Sequence, residues 1–241
     1  MAGGTYSALS GLTTRLAQLD RIAADIANAG TAGYKTERVP TVEVRRPDFS
    51  QVLQTAIDVT AAPGLIDFRD GQIETTGRDL DVALDGRGFF EVDTPEGVRY
   101  TRNGQFSRRP DGTLVTADGN VVRGEDGSAI LIGQGKVTFE PDGSVRAGGV
   151  VAGKLKITDF GDYVGLRREG SNFRAEPGLT PVAAPATSRV LGAALEASNV
   201  QLPERMVQLT EVSRAFEALQ RGITTLMNDV DGRAISELGR R

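Results

Sequence analysis

The sequence predicts an α+β fold in which two long terminal helices flank an inserted antiparallel β domain. Three observations point there. Apolar residues step by threes and fours near the C-terminus, a second such pattern lies near the N-terminus, and Asp-Gly and Asn-Gly pairs recur between them.

The N-terminal pattern runs from Thr5 to Asn28. Leu9, Leu12, Leu16, Leu19, Ile22 and Ile26 share one helical face, while Thr13, Arg15, Gln18, Arg21 and Asp25 lie off it. Thr5 or Ser7 is suited to cap the start, and Asn28 and Gly30 to stop the end, with Gly33 following. Residues 1–30 are therefore expected to form one helix. Residues 31–65 have no clear period and carry Pro40, Pro47 and Pro63, with Val39, Val42 and Val44 alternating briefly. They read as an extended connector with short strands, which suits a segment that runs along other molecules.

From about residue 66 to 190 the character is β. The turn pairs are Asp70-Gly71, Asp85-Gly86, Asn103-Gly104, Asp111-Gly112, Asp118-Gly119, Asp126-Gly127 and Asp142-Gly143. Such pairs supply the positive φ angles of tight hairpins. Short strands are expected at 80–84, 88–93, 98–102, 114–116, 120–123, 136–140 and 155–159, giving a sandwich or open barrel. Residues 160–188, rich in Gly and Pro, read as a long excursion anchored by Phe173.

Residues 191–241 return to a helix, with Ser198 or Asn199 as its cap and Pro203 in its first turn. Leu202, Met206, Leu209, Val212, Phe216, Leu219, Ile223, Leu226 and Val230 form its stripe. From Val212 onward the steps alternate strictly between four and three, as in a heptad seam. Each terminal seam needs a partner. The pattern fits a hairpin of the two helices within one chain or a bundle of several chains, and periodicity alone leans toward the hairpin.

Composition excludes several functions. The 241 residues include no Cys and no His, which removes disulfides, thiol nucleophiles, the usual zinc ligands and the usual neutral-pH acid–base group. Formal net charge is −4 with no basic block, so nucleic-acid binding is not expected. No apolar run suggests a membrane span, and the first residues lack the pattern of a secretory signal.

Candidate chemistry is sparse. Asp79, Asp81 and Asp85 lack the spacing of a calcium loop and fit turn or solvent positions. Gly133-Gln134-Gly135 opens no helix, so it is not a dinucleotide loop. The absence of Trp argues against a sugar platform beside any carboxylate pair. Serines have no His partner. Tyr34 and Lys35 stand at a helix exit with no convergent group in the nearby sequence. No cofactor and no small-molecule substrate is expected.

Three stretches carry a resemblance. They are YSALSGL leading to IANAGTAGYK (26–35), residues 78–122, and GAALEASNVQLPERMVQLTEVSRAFEALQ (192–220). Taken in order, they resemble the bacterial flagellar basal-body rod and hook proteins over nearly the whole chain. Asn28, Thr31, Gly33, Tyr34 and Lys35 match the family's N-terminal signature, and Leu195, Glu196, Ser198, Asn199 and Val200 its C-terminal one. Ser213-Arg214-Ala215-Phe216 stands where distal rod subunits usually have Gln-Arg-Ala-Tyr, which places the proximal type first and the distal type as the alternative.

The resemblance implies a structural subunit, not an enzyme, exported without a cleaved signal through the flagellar export apparatus into the periplasm. It implies terminal helices pairing in a helical-assembly core with copies of itself and other rod subunits, transmitting torque. A secreted binding module or enzyme is the remaining alternative, and a convergent polar pocket in the β domain would mark it.

Overall fold

A computed structural model of the chain describes residues 2–38 and 65–238; the side chains of residues 2–10, 223 and 226–238 lie outside the described set. The expected strands around Val39, Val42 and Val44, and the prolines at 40, 47 and 63, fall outside the described residues. The chain divides into two units. One comprises residues 1–27, 37–65 and 201–241, the other residues 28–36 and 66–200.

In the first unit, helix α1 (Ala2–Ala27) and helix α2 (Leu202–Leu238) have 26 and 37 residues. α1 already begins at Ala2, so Thr5 and Ser7 lie inside it and do not cap it. It ends just before Asn28, where Thr31 N–H donates to the Asn28 carbonyl at 3.0 Å. α2 begins after Gln201, whose carbonyl accepts the Arg205 N–H. The expected caps act elsewhere: the Ser198 hydroxyl accepts from Val200 N–H and the Asn199 side chain from Thr36 N–H. Strands β1 (Glu37–Arg38) and β2 (Leu65–Ile66) form a two-stranded sheet.

The second unit is antiparallel β. Its strands are β3 (Ile73–Thr75), β4 (Val82–Asp85), β5 (Phe89–Thr94), β6 (Gly97–Thr101), β7 (Phe106–Arg108), β8 (Leu114–Thr116) and β9 (Val121–Val122). They continue with β10 (Val137–Phe139), β11 (Ser144–Ala147), β12 (Val150–Lys154), β13 (Ile157–Phe160), β14 (Leu166–Glu169) and β15 (Asn172–Ala175). Last come β16 (Pro181–Ala183), β17 (Arg189–Gly192) and β18 (Ala194–Glu196). The main sheet runs β14-β15-β6-β5-β9-β8-β7, and β13 pairs with both β5 and β16. β10, β11 and β12 form a second sheet, while β17 pairs with β4 and β18 with β3.

Alternation along β5 builds two cores. Phe90 and Val92 enter a large cluster with Val82, Leu84, Phe106, Leu114, Val122, Ile132, Val145 and Val190. Phe89 enters an aromatic cluster with Tyr100, Phe160, Leu166 and Phe173. Phe173 and Phe89 meet at 5.7 Å between ring centroids, near edge-to-face. Phe173 is thus an anchor, but the surrounding 160–188 stretch is not an irregular excursion: it contains the β14–β15 hairpin and β16.

The expected α+β class, with long terminal helices pairing in a core, is corrected here. Strands outnumber helices among the described residues, and both buried apolar clusters lie in the β unit. Of the seam residues with described side chains, Ile22 alone is buried; Leu12, Leu19, Ile26, Leu209, Val212 and Phe216 are half-buried. Leu16 is 50% exposed and Leu219 37%. The reason is geometric. Two helices meet along one line, and without a second layer each seam residue keeps part of its surface in water.

Candidate functional site

Two features stand out, one in each unit. In the helical unit, α1 and α2 run in contact, and a Cβ placed on Gly11 would lie 3.8 Å from Leu219 Cδ1. An ion pair joins them: Arg205 Nε is 3.2 Å from Asp25 Oδ2, with the Asp25 side chain almost fully buried. The polar residues expected to lie off the seam therefore include a buried one. Leu9, Ile223, Leu226 and Val230 lie in the helices but outside the described side chains.

In the β unit, the two signature stretches meet. Gly33 N–H donates to the Glu196 carbonyl at 2.7 Å, Thr36 N–H to Asn199 Oδ1 at 2.7 Å, and Asn199 N–H to the Tyr34 carbonyl at 3.3 Å. Asn199 Nδ2 donates to the carbonyls of Asp67 and Arg69. Thr31 Oγ1 donates to Asn28 Oδ1, closing the turn after α1. Leu195 sits between Ala194 and Glu196 in β18, opposite Glu74. Val200 is the last residue of this unit.

Gly33 is required by its surroundings. Its φ is +68°, and a Cβ there would lie 2.3 Å from the Arg102 carbonyl carbon. A side chain would strain the backbone and collide with main chain that cannot rotate away.

At the centre lies a buried charge cluster. Lys35 Nζ donates to Glu196 Oε1 and to the Arg69 carbonyl at 2.9 Å, with both charged side chains essentially fully buried. Glu196 Oε1 also accepts from Gly71 N–H at 2.9 Å, and Arg102 Nη1 approaches Glu196 Oε2 at 3.4 Å. Arg102 also donates to the carbonyls of Leu84 and Gly86. Asp70 stands 3.6 Å from Arg102 at the rim. The Arg168 guanidinium lies 4.2 Å over the Tyr34 ring and donates to the Lys35 carbonyl. Burial holds the Lys35 ammonium below the ordinary lysine pKa; Glu196 opposes that shift without cancelling it, and Arg102 adds to it. So Tyr34 and Lys35 do have convergent groups. They come from residues 69–71, 102, 168 and 196, at separations no local signal reports.

One member of the acidic trio departs from the turn and solvent reading. Asp79 and Asp85 are exposed, but Asp81 is buried beside Gln105, with Arg78 Nε 3.8 Å from its Oδ1. Among the described residues no acidic group forms a metal-ligand cluster. A groove of about 650 Å³ is lined by Glu91, Lys154, Lys156, Thr158 and the 181–186 segment. Its buried carboxylate, Glu91, is taken up by Thr158 Oγ1 at 2.5 Å and by Arg123 and Lys156 at 3.4 Å.

Comparison with known proteins gives the family. Residues 83–147 match the family described as flagellar hook protein FlgE/F/G D1 domain, and residues 192–235 the flagellar basal body rod FlgEFG protein C-terminal family. The chain is 33% identical to the flagellar basal-body rod protein FlgF of Caulobacter vibrioides over 91% of each chain. It is 32% identical to FlgF of Salmonella typhimurium over 95% of each. With FlgG of Bacillus subtilis it shares 30% identity over 93% of this chain and 95% of that one. The chain belongs to the flagellar basal-body rod protein family.

Proposed function

We propose that this chain is a structural subunit of the flagellar basal-body rod, of the proximal FlgF type. The observation that carries the reading is near end-to-end similarity to proteins named FlgF, from 90% to 99% of this chain, with no large segment left over. The distal FlgG type is the second reading, favoured by similarity of comparable extent to FlgG proteins.

In this reading the chain meets other rod subunits and copies of itself through the apolar residues that its own helices leave half-covered. It leaves the cytoplasm through the flagellar export apparatus without a cleaved signal, and a chain with no Cys suits passage in an unfolded state. Its work is mechanical, the transmission of torque, with no bound cofactor, nucleic acid or substrate.

The test is genetic and structural. Deletion of the gene is expected to abolish swimming, and the intact chain supplied in trans to restore it and to appear in purified basal bodies. Absence of the chain from purified basal bodies overturns the reading. In cells lacking the distal rod subunit, a proximal subunit stays in the shortened rods, whereas a distal one does not.

A further inference from the structure

The segment 28–36 is held to the β unit by a different kind of force from the one that holds the unit together. Its attachments include the hydrogen bonds of Gly33, Tyr34 and Thr36 to residues 196 and 199, the Asp67 N–H bond to the Thr36 carbonyl, the Arg168 bond to the Lys35 carbonyl, and the Lys35 charge cluster. Neither apolar cluster includes any of its residues. The segment's one large apolar side chain in contact is Tyr34, covered by Arg168. A strap held by polar contacts is released by breaking those contacts, while burial of Phe89, Phe90, Val92 and their neighbours continues to hold the core.

The cluster also requires completeness. Lys35 and Glu196 are 161 positions apart, and Glu196 and Arg102 are 94 apart. Until β18 delivers Glu196, beside Arg102 at the end of β6, Lys35 has no buried carboxylate to meet, and a buried ammonium without one is strongly unfavourable. With Glu196 present, two cations share one buried carboxylate, and closure also needs the Arg69 carbonyl and the Gly71 N–H on that carboxylate.

We propose that Lys35, Glu196 and Arg102 form a latch that closes after the β unit has folded and fixes residues 28–36 beside residues 196–199. Opening it releases segment 28–36 without unfolding the β core. The consequence for assembly rests on the rod reading: closing the latch is the step that makes the subunit competent to join a rod.

Amide exchange on the full-length monomer tests the latch without reference to flagella. The Gly33 and Thr36 amides are expected to exchange at least 10-fold faster than those of 89–101. Lys35→Met and, separately, Glu196→Gln are expected to speed exchange at 33–36 a further 10-fold or more while leaving 89–101 unchanged. Equal exchange of 33–36 and 89–101 in the wild type overturns the latch, even if the variants fail to fold. So does a Lys35→Met protein with unaltered exchange at 33–36. In cells, Lys35→Met is expected to reduce swimming although the protein is exported and its β unit is folded. Normal swimming by that variant overturns the assembly role. Wild-type protein absent from basal bodies counts instead against the rod reading, leaving the exchange result to stand alone.

Discussion

Lys35 shows how a residue's role depends on groups far from it in sequence. Its ammonium is buried and held below the usual lysine pKa by loss of water, so between that lowered value and about 10.5 the folded state binds fewer protons than the unfolded one. Stability from this group therefore rises with pH across that interval and levels off above the unfolded value. Tyr100 and Tyr163 have the opposite sign: burial raises their pKa values, and their contribution is lost as pH rises through them. Both tyrosines remain in a Lys35→Met variant, so the difference in unfolding free energy, wild type minus variant, isolates the lysine. That difference is expected to grow from about pH 8 to about pH 10 in urea melts. A difference that shrinks or stays flat would contradict the burial argument. Nothing in the sequence around Lys35 hints at this. Tyr34-Lys35 follows a helix stop, and the carboxylate that defines its environment arrives with β18.

Turns were the most legible elements, because their chemistry is local. Gly86, Gly112, Gly119, Gly127 and Gly143 of the Asp-Gly pairs all take positive φ, as a tight turn demands. The same kind of pair serves another purpose at Gly71 and Gly104. A Cβ there would lie 1.9 Å from the Ala197 carbonyl oxygen and 1.7 Å from that of Val82, so close approach of distant backbone requires the glycine. Strands such as β14, Leu-Arg-Arg-Glu, were not legible because an edge strand with charged side chains lacks the apolar alternation that marks a strand. Asp111, Asp126 and Asp142 each accept the backbone N–H two residues on, from Thr113, Ser128 and Ser144. Those bonds, together with bonds from the same residues' hydroxyls, lower the carboxyl pKa values; at Asp126 the Ser128 hydroxyl is the larger cause. Their stabilisation is present above the unfolded value of about 3.8 and is lost as pH falls through the lowered ones. Asp142→Asn is therefore expected to reduce the loss of stability below about pH 4, as read by acid titration of far-UV circular dichroism. On α2, Leu219 is 37% exposed beside α1. If neighbouring subunits cover it, Leu219→Asp is expected to block rod formation, since an unpaired buried charge costs at least several kcal/mol. The exposed Arg221→Asp change is expected to stay within about 0.5 kcal/mol. Intact rods in purified basal bodies of the Leu219→Asp strain would remove this face as a contact.

At the scale of the molecule, the β unit is closed by a segment that reads in sequence as the approach to a helix. Residues 189–196 instead form β17 and β18, which pair along β4 and β3. Gly192 faces Val82 and Arg189 faces Asp85, so β17 covers a strand whose first three residues are fully buried. Val190 is 1% exposed within the larger core, and Glu196 supplies the buried carboxylate for Arg102. The boundary at residue 190 that the sequence suggests would split β17 and remove β18, and one at residue 188 would cut all of this away. Burying Val190 alone contributes about 1.5–3 kcal/mol, a sizeable share of the roughly 5–15 kcal/mol that holds a domain folded. The ladder to β4 and the Glu196–Arg102 pair are lost with it, and Val82, Ala83 and Leu84 are left on an open edge. A fragment of residues 65–200 is therefore expected to unfold in urea as one cooperative transition. A fragment of residues 65–188 is expected to unfold at much lower urea or to bind a hydrophobic dye before any denaturant is added. The longer fragment lacks Lys35, so its folding also reports whether the latch is separate from the core. If both fragments melt at the same urea concentration, β17 and β18 are dispensable and the unit ends before them. If residues 65–200 fail to fold, while the same fragment rejoined to residues 28–36 folds, the strap is part of the core rather than a latch upon it.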